Sequence, residues 1–358
     1  MGVLTLMVIL LVAAMSLHAR AIDIHELRKV AAKENLTCVL VFGDSSVDPG
    51  NNNHLALAPK SNFQPYGRDF LNGSRPNGRF TDGRLATDFI AEALGYTNII
   101  RPYLDPYIKK ADLLHGVSFA SAGSGYDEFT AINISKALSV SQQLKYFMKY
   151  KLRLKQLMGE KKVEKFIGNA IFIISMGTND FLQNYYIDPF RSTQFTIEQY
   201  QNYLISCMFR YVKAMHTLGA RRLAIVGVPP FGCMPLVKTL KDEIKCDDDY
   251  NQVALSFNSK IQANLETIKA TLGIKNAYID IYHIIERAIQ NPKKYGIVDT
   301  TKGCCGSGTY EYGDTCKGLS TCADPTKYVF WDAVHLTGKM YKIIADEALD
   351  EVSENVLN

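Results

Sequence analysis

The sequence predicts an α/β sandwich. Two observations carry this expectation. Short apolar runs alternate with longer amphipathic segments along the chain, and the run Ile171-Phe172-Ile173-Ile174 has no polar residue on either face. A strand of that kind is buried on both sides, as in a parallel sheet covered by helices. Strands are expected at 38–42, 116–119, 170–176, 223–228 and 277–281, with helices at 84–94, 139–158, 196–218, 248–272 and 339–352. In the last helix Met340, Ile344, Ala348 and Val352 recur every four residues and are expected to face the core. The stretch 48–82 is rich in Asn, Gly and Pro and reads as a long surface loop, of the kind that shapes a pocket at a strand end.

With 358 residues, 47% hydrophobic and 21% charged, the chain has an ordinary globular balance and room for one large or two modest domains. Residues 3–15 are almost wholly apolar and precede Ala19-Arg20-Ala21, a small-x-small cleavage pattern. We read residues 1–21 as a secretory signal peptide, although it lacks a Lys or Arg before the apolar run. That run is too short to span a bilayer, so no transmembrane segment is expected after cleavage. The net charge of +4 becomes +3 without Arg20 (39 basic minus 36 acidic), and no Lys/Arg block occurs, which argues against a nucleic-acid partner.

Sequons at Asn35, Asn72 and Asn133 agree with export. So do the eight cysteines. Cys304, Cys305, Cys316 and Cys322 fall within nineteen residues of a Gly-rich stretch and read as disulfides that staple a loop, in a pairing that spacing leaves open. Zinc is the alternative, disfavoured because Cys304 and Cys305 are adjacent and no C-x-x-C pair occurs.

Familiar catalytic signatures are missing. There is no G-x-S-x-G, no H-E-x-x-H, no P-loop, and no G-x-G-x-x-G after a strand candidate. What remains is Gly43-Asp44-Ser45 directly after the first strand, where ligands bind in open α/β sheets. Taken alone, Asp-Ser after a strand is more often a helix cap. Gly123 follows the second strand candidate, Asn179 the third, and Trp331-Asp332-Ala333-Val334-His335 lies near the C-terminus. Each has a structural reading as a turn, a cap or a surface pair. Together they supply a nucleophile (Ser45), oxyanion donors (Gly123, Asn179) and a base with its orienter (His335, Asp332). Asp280-Ile281-Tyr282-His283 repeats the Asp-to-His spacing, and spacing alone does not separate the two pairs.

These residues resemble the GDSL esterase/lipases of the SGNH-hydrolase superfamily, the plant secreted branch in particular. Val41-Phe42-Gly43-Asp44-Ser45 with Asp48, Gly50 and Asn51-Asn52-Asn53 is similar to that branch's first block. The segment ending at Gly123, then Gly177-Thr178-Asn179-Asp180, then Asp332-Ala333-Val334-His335 match the later blocks in order. Pro76-Asn77-Gly78-Arg79-Phe80, Asn184-Tyr185-Tyr186 and Cys304-Cys305-Gly306 also fit. The resemblance runs from about Val39 to Thr337. It departs at Ser46, where the family's defining leucine stands, and at Ser118, where many members place Asn.

The resemblance implies a three-layer α/β/α sandwich with a mainly parallel, flavodoxin-like sheet in a single domain over 22–358. It implies that Ser45 attacks an acyl ester while His335, oriented by Asp332, takes its proton. The oxyanion would be held by the N–H groups of Ser45 and Gly123 and the amide of Asn179. It favours His335 over His283, which is then expected to cap or pack at the start of the next helix. His25, His54, His115 and His216 are expected to be structural or solvent-facing, with a pocket position a minor alternative for His54. Packing is the first reading of Tyr185 and Tyr186, an acyl-pocket wall the second. No metal or organic cofactor is required. A small-molecule or lipid ester is the expected substrate of a secreted, extracellular enzyme. The alternatives are an esterase for acetylated polysaccharide or phenolic esters, and a binding protein on an inactive hydrolase scaffold.

Overall fold

The computed structural model describes residues 23–71, 73 and 75–357. The expected signal peptide and the sequon residues Asn72 and Ser74 lie outside the described residues. In chain order the described elements are α1 (Ile24–Lys33), β1 (Val39–Gly43), α2 (Ala86–Ala93), β2 (Arg101–Pro102), α3 (Lys110–His115) and β3 (Val117–Ser118). Then come α4 (Val140–Met158), α5 (Glu160–Gly168), β4 (Ile171–Ser175), α6 (Thr178–Phe181), α7 (Ile197–Thr217), β5 (Arg222–Val226) and α8 (Pro235–Leu240). The chain continues through α9 (Asp248–Leu272), β6 (Lys275–Ile279), α10 (Ile281–Gln290), β7 (Asp299–Gly303), β8 (Tyr328–Phe330) and α11 (Gly338–Val352).

The main sheet has the order β2-β3-β1-β4-β5-β6, with every pairing parallel. Helices α4, α5, α7 and α9 pack together over one face; α1, α2, α10 and α11 form the other layer. This is the expected three-layer α/β/α sandwich. All five residues of β4 are buried, as their unbroken apolar run requires. On the first face Phe42 stacks with Phe119 at 5.0 Å and meets Phe147 of α4 edge-on at 5.7 Å.

Capping explains where the expected elements stop. The α9 boundaries match those read from the sequence because Asp247 accepts the N–H of Tyr250 at one end and Gly273, at φ 64°, closes the other. Strand β6 lies two residues earlier than expected. Asp280 accepts the N–H of His283 and starts α10, which ends the strand at Ile279. Strand β2 was not anticipated; two residues with a proline suit the sheet edge it occupies.

The surface-loop expectation for 48–82 needs correction, since Asp48, Asn51, Asn52, Tyr66, Arg79 and Thr81 are all buried. Asn51 Nδ2 donates to the carbonyls of Ser118 and Ala120, and Asn52 Nδ2 to those of Ala122 and Pro59. These amides replace the ladder partners that the chain loses where it leaves β3. Arg79 is held by a two-pronged bond to Asp88 of α2, both distances 2.9 Å.

Candidate active site

The chain turns over at β1, with β3 on one side and β4 on the other, so the carboxyl end of β1 opens at the switch point of the strand order. Gly43 ends β1 at φ 151°, where a Cβ would lie 2.1 Å from the Ser175 carbonyl oxygen. Gln143 of α4 donates to the Gly43 carbonyl and accepts its N–H. The strand thus ends tight against β4, and Asp44 and Ser45 follow directly above the sheet. Asp44 is buried and accepts both the N–H and the hydroxyl of Ser46, at 2.9 and 2.7 Å. Burial pushes its carboxyl up to about 6, against the opposing pull of the Ser46 bonds and the His335 charge.

His335 reaches Ser45 from the far end of the chain. Its Nε2 lies 2.9 Å from Ser45 Oγ, across 290 positions of sequence. Its Nδ1 lies 2.8 Å from Asp332 Oδ2 and 3.0 Å from Oδ1. Asp332 Oδ1 also accepts the backbone N–H groups of Val334 and His335, so the carboxylate closes the turn that aims the imidazole. Phe80 packs on the ring, centroids 4.9 Å apart. Asp332 is fully buried and His335 nearly so, whereas Ser45 is half-buried at the cleft.

The seat of Asp332 is built from the cysteine-rich segment. Cys304 pairs with Cys322 and Cys305 with Cys316, which resolves the pairing left open by the spacing and replaces the zinc alternative. A third disulfide joins Cys233 to Cys246; Cys38 and Cys207 are buried free thiols. Strands β7 and β8 make a small parallel pair that delivers Trp331 and Asp332. The stapled loop is tied to the next residue, the Ala333 N–H donating to the Glu311 carbonyl, and to Tyr66, whose Oη accepts the Gly313 N–H. Tyr66 in turn donates to Asp332 Oδ2 at 2.7 Å.

Asn179 stands at the start of α6, just after β4, and lines the same cleft as Ser45 and His335. One amide hydrogen goes to the Ser124 carbonyl at 3.0 Å, leaving the other for the cleft. Beside it Asp180 accepts the N–H groups of Tyr126 and Asp127 and the hydroxyl of Thr130. Burial first, then the Asp127 charge, lifts the Asp180 carboxyl to about 8. Gly123 stands in the turn after β3, at φ 87°. Asp48 ties that turn to the Ser45 loop, accepting Ala122 N–H on Oδ2 and the N–H groups of Gly50 and Asn51 on Oδ1. Neither the Ser45 nor the Gly123 N–H meets a backbone carbonyl among the described residues.

The second His–Asp pair is elsewhere. His283 Nδ1 lies 2.6 Å from Asp280 Oδ2 on the exposed start of α10, where Asp280 serves as the helix cap. His54 is exposed and outside the cleft lining. Tyr185 stacks on Tyr200 and Tyr186 on Tyr250, so both pack rather than wall the cleft. Reading the sequence missed Tyr66 as a partner of Asp332, since a tyrosine in a loop carries no signal of where its hydroxyl ends. Asp48, Asn51 and Asn52 carried a signal, standing together in the first sequence block, but their tie to the Gly123 turn is tertiary.

An α/β/α sandwich with a hydroxyl–imidazole–carboxylate line at the carboxyl end of its central strands has the arrangement of a serine hydrolase. The chain belongs to the GDSL-like lipase/acylhydrolase family, whose model matches residues 39–348. A GDSL esterase/lipase of Arabidopsis thaliana is 54% identical over 94% of this chain and 94% of its own. A second from the same plant is 42% identical over 86% of this chain and 84% of its own. Among solved structures, an extracellular lipase from Streptomyces rimosus aligns over 87% of this chain and 99% of its own, at 12% identity and a TM-score of 0.36.

Proposed function

We propose that the protein is a secreted serine esterase acting on lipid-type acyl esters through an acyl-enzyme on Ser45. The observation that carries this reading is the line Ser45 Oγ–His335–Asp332, with distances of 2.9 and 2.8 Å. Ser45 Oγ attacks the ester carbonyl and gives its proton to His335 Nε2, while Asp332 holds the imidazole from Nδ1. As the tetrahedral intermediate collapses, His335 protonates the leaving alcohol. Water, giving its proton to the same nitrogen, then cleaves the acyl-enzyme and releases the carboxylic acid. The oxyanion is held by the side-chain amide of Asn179 with the N–H groups of Ser45 and Gly123.

The preference for lipid-type esters is supported by the aliphatic lining of the cleft beyond Ser45, including Ile90, Val226, Met234 and Ile281. Three disulfides support an oxidising compartment. The test is labelling by a fluorophosphonate probe, with a hydrolysis profile over acyl chain lengths and acetylated sugars. Labelling at Ser45 and loss of hydrolysis in Ser45→Ala are expected. Hydrolysis that survives in Ser45→Ala overturns the assignment.

A further inference from the structure

Next to Asn179 stands a fully buried carboxyl, Asp180, to which the reaction above gives no part. A carboxyl taken out of water is costly unless its oxygens are bonded, and those of Asp180 are bonded to one segment of chain. Oδ2 accepts the N–H of Tyr126 at 2.7 Å. Oδ1 accepts the N–H of Asp127 at 3.2 Å and the hydroxyl of Thr130 at 2.6 Å. Gly125 lies so close that a Cβ there would be 2.2 Å from Oδ1.

The same segment supplies the partner of Asn179, whose Nδ2 donates to the Ser124 carbonyl at 3.0 Å. Consecutive residues of α6 thus grip the chain on either side of Gly125, Asn179 by the carbonyl before it and Asp180 by the N–H after it. The two hydrogens of an amide lie in one plane, so a bond that fixes one sets the direction of the other. An oxyanion donor acts within about 3 Å, and a shift of about 1 Å in the Ser124 carbonyl would turn the free N–H off its target.

The far end of the segment is held independently. Arg191 bonds both oxygens of Asp127, Nε at 2.6 Å and Nη2 at 3.0 Å. Asn184, in the π-helical turn Leu182–Ile187 that continues α6, donates to Thr130 Oγ1 at 2.8 Å. With Asp127 and Thr130 anchored, Asp180 sets where the Ser124–Gly125 peptide lies relative to Asn179.

We propose that Asp180 is a positioning residue of the reaction: its carboxyl clamps residues 124–130 so that the Ser124 carbonyl aims the Asn179 amide at the oxyanion. The proposal rests on the hydrolase reading above. Asp180 acts through Asn179 and touches no reacting atom.

The test is a double-mutant cycle on p-nitrophenyl acetate, with wild type, Asp180→Asn, Asn179→Ala and the variant carrying both. Asp180→Asn keeps the size of the side chain but turns an NH2 toward a group that itself donates, which loosens the clamp without opening a cavity. It should lower kcat about tenfold and leave KM within about twofold. In the Asn179→Ala background the same substitution should cost less than about twofold more. A merely structural role would cut the active fraction by one factor in both backgrounds. Multiplicative losses, a loss carried by KM, or an unchanged kcat therefore overturn the proposal. If Asp180→Asn does not fold, Thr130→Val, which removes the hydroxyl bonded to Oδ1, takes its place in the cycle with the same outcomes. Should wild type hydrolyse no ester, the hydrolase reading fails by itself and amide hydrogen exchange judges the clamp. Faster exchange across 121–130 in the variant supports it, and unchanged exchange overturns it.

Discussion

Tyr66 donates its phenolic hydroxyl to Asp332 Oδ2 at 2.7 Å and accepts the Gly313 N–H at the same distance, inside a fully buried pocket. One oxygen thus links the loop after β1, the disulfide-stapled segment and the carboxylate behind His335. Burial, with the adjacent Asp332 charge, holds the Tyr66 hydroxyl well above its ordinary value, so it stays a donor.

Tyr66→Phe should keep the ring packing and lose both bonds. A buried hydrogen bond to a charged group is worth about 1.5–3 kcal/mol, so kcat should drop by roughly 10-fold or more. Because Tyr66 acts through Asp332, KM should change little. A kinetic split with KM carrying the loss would count against a positioning role.

His335→Gln should lower kcat/KM by about 10⁴-fold or more, and His283→Gln should leave it within about twofold. Steady-state kinetics on one ester distinguishes them. If His283→Gln alone abolished hydrolysis, the assignment of the base would be wrong.

Asn179→Ala removes a side-chain donor from the cleft and should cost about 10²–10³ in kcat with a smaller change in KM. Equal losses for Ser45 labelling and for folding stability would instead mark Asn179 as structural, through its bond to the Ser124 carbonyl.

Asp44 links the site to pH-dependent stability. Burial raises its folded pKa to about 6, above the ordinary carboxylate value of 3.8, so the native state binds the proton more tightly. Its stabilising contribution is full below the unfolded value and is lost as pH rises through about 6. Asp44→Asn keeps an Oδ1 acceptor for Ser46 and cannot titrate. Urea unfolding at about pH 4 and about pH 7 should show the variant gaining on wild type by up to about 3 kcal/mol at the higher pH. Parallel pH dependence in the two proteins would show that Asp44 does not titrate as assigned.

Replacing Cys305 and Cys316 by alanine frees the loop that carries Glu311 and Gly313, and should cost about 2–5 kcal/mol of stability. Activity well below the unfolding temperature should fall as well. Cys233→Ala with Cys246→Ala should lose stability with activity retained. Equal residual activity in the two pairs would separate the stapled loop from Asp332.

Local patterns in the sequence determined much of this protein. The uninterrupted apolar run at 171–174 marks a strand covered on both faces, and the capped 248–272 segment appears as α9 at the expected boundaries. The three-residue spacing of Asp332 and His335 also describes a contact made within one turn of chain. Such features depend on neighbours in sequence, which is why they are legible there. The tertiary structure decided which His–Asp pair meets Ser45. Asp280 and His283 form the same short contact, but on the exposed start of α10. The C-terminal segment instead returns over the end of β1 and brings His335 to Ser45 across 290 positions. Tyr66 beneath Asp332 and Asp48 beneath the Gly123 turn follow from the same packing. Each depends on how strands are ordered and helices laid across them, a relation between distant segments that no single stretch of sequence contains.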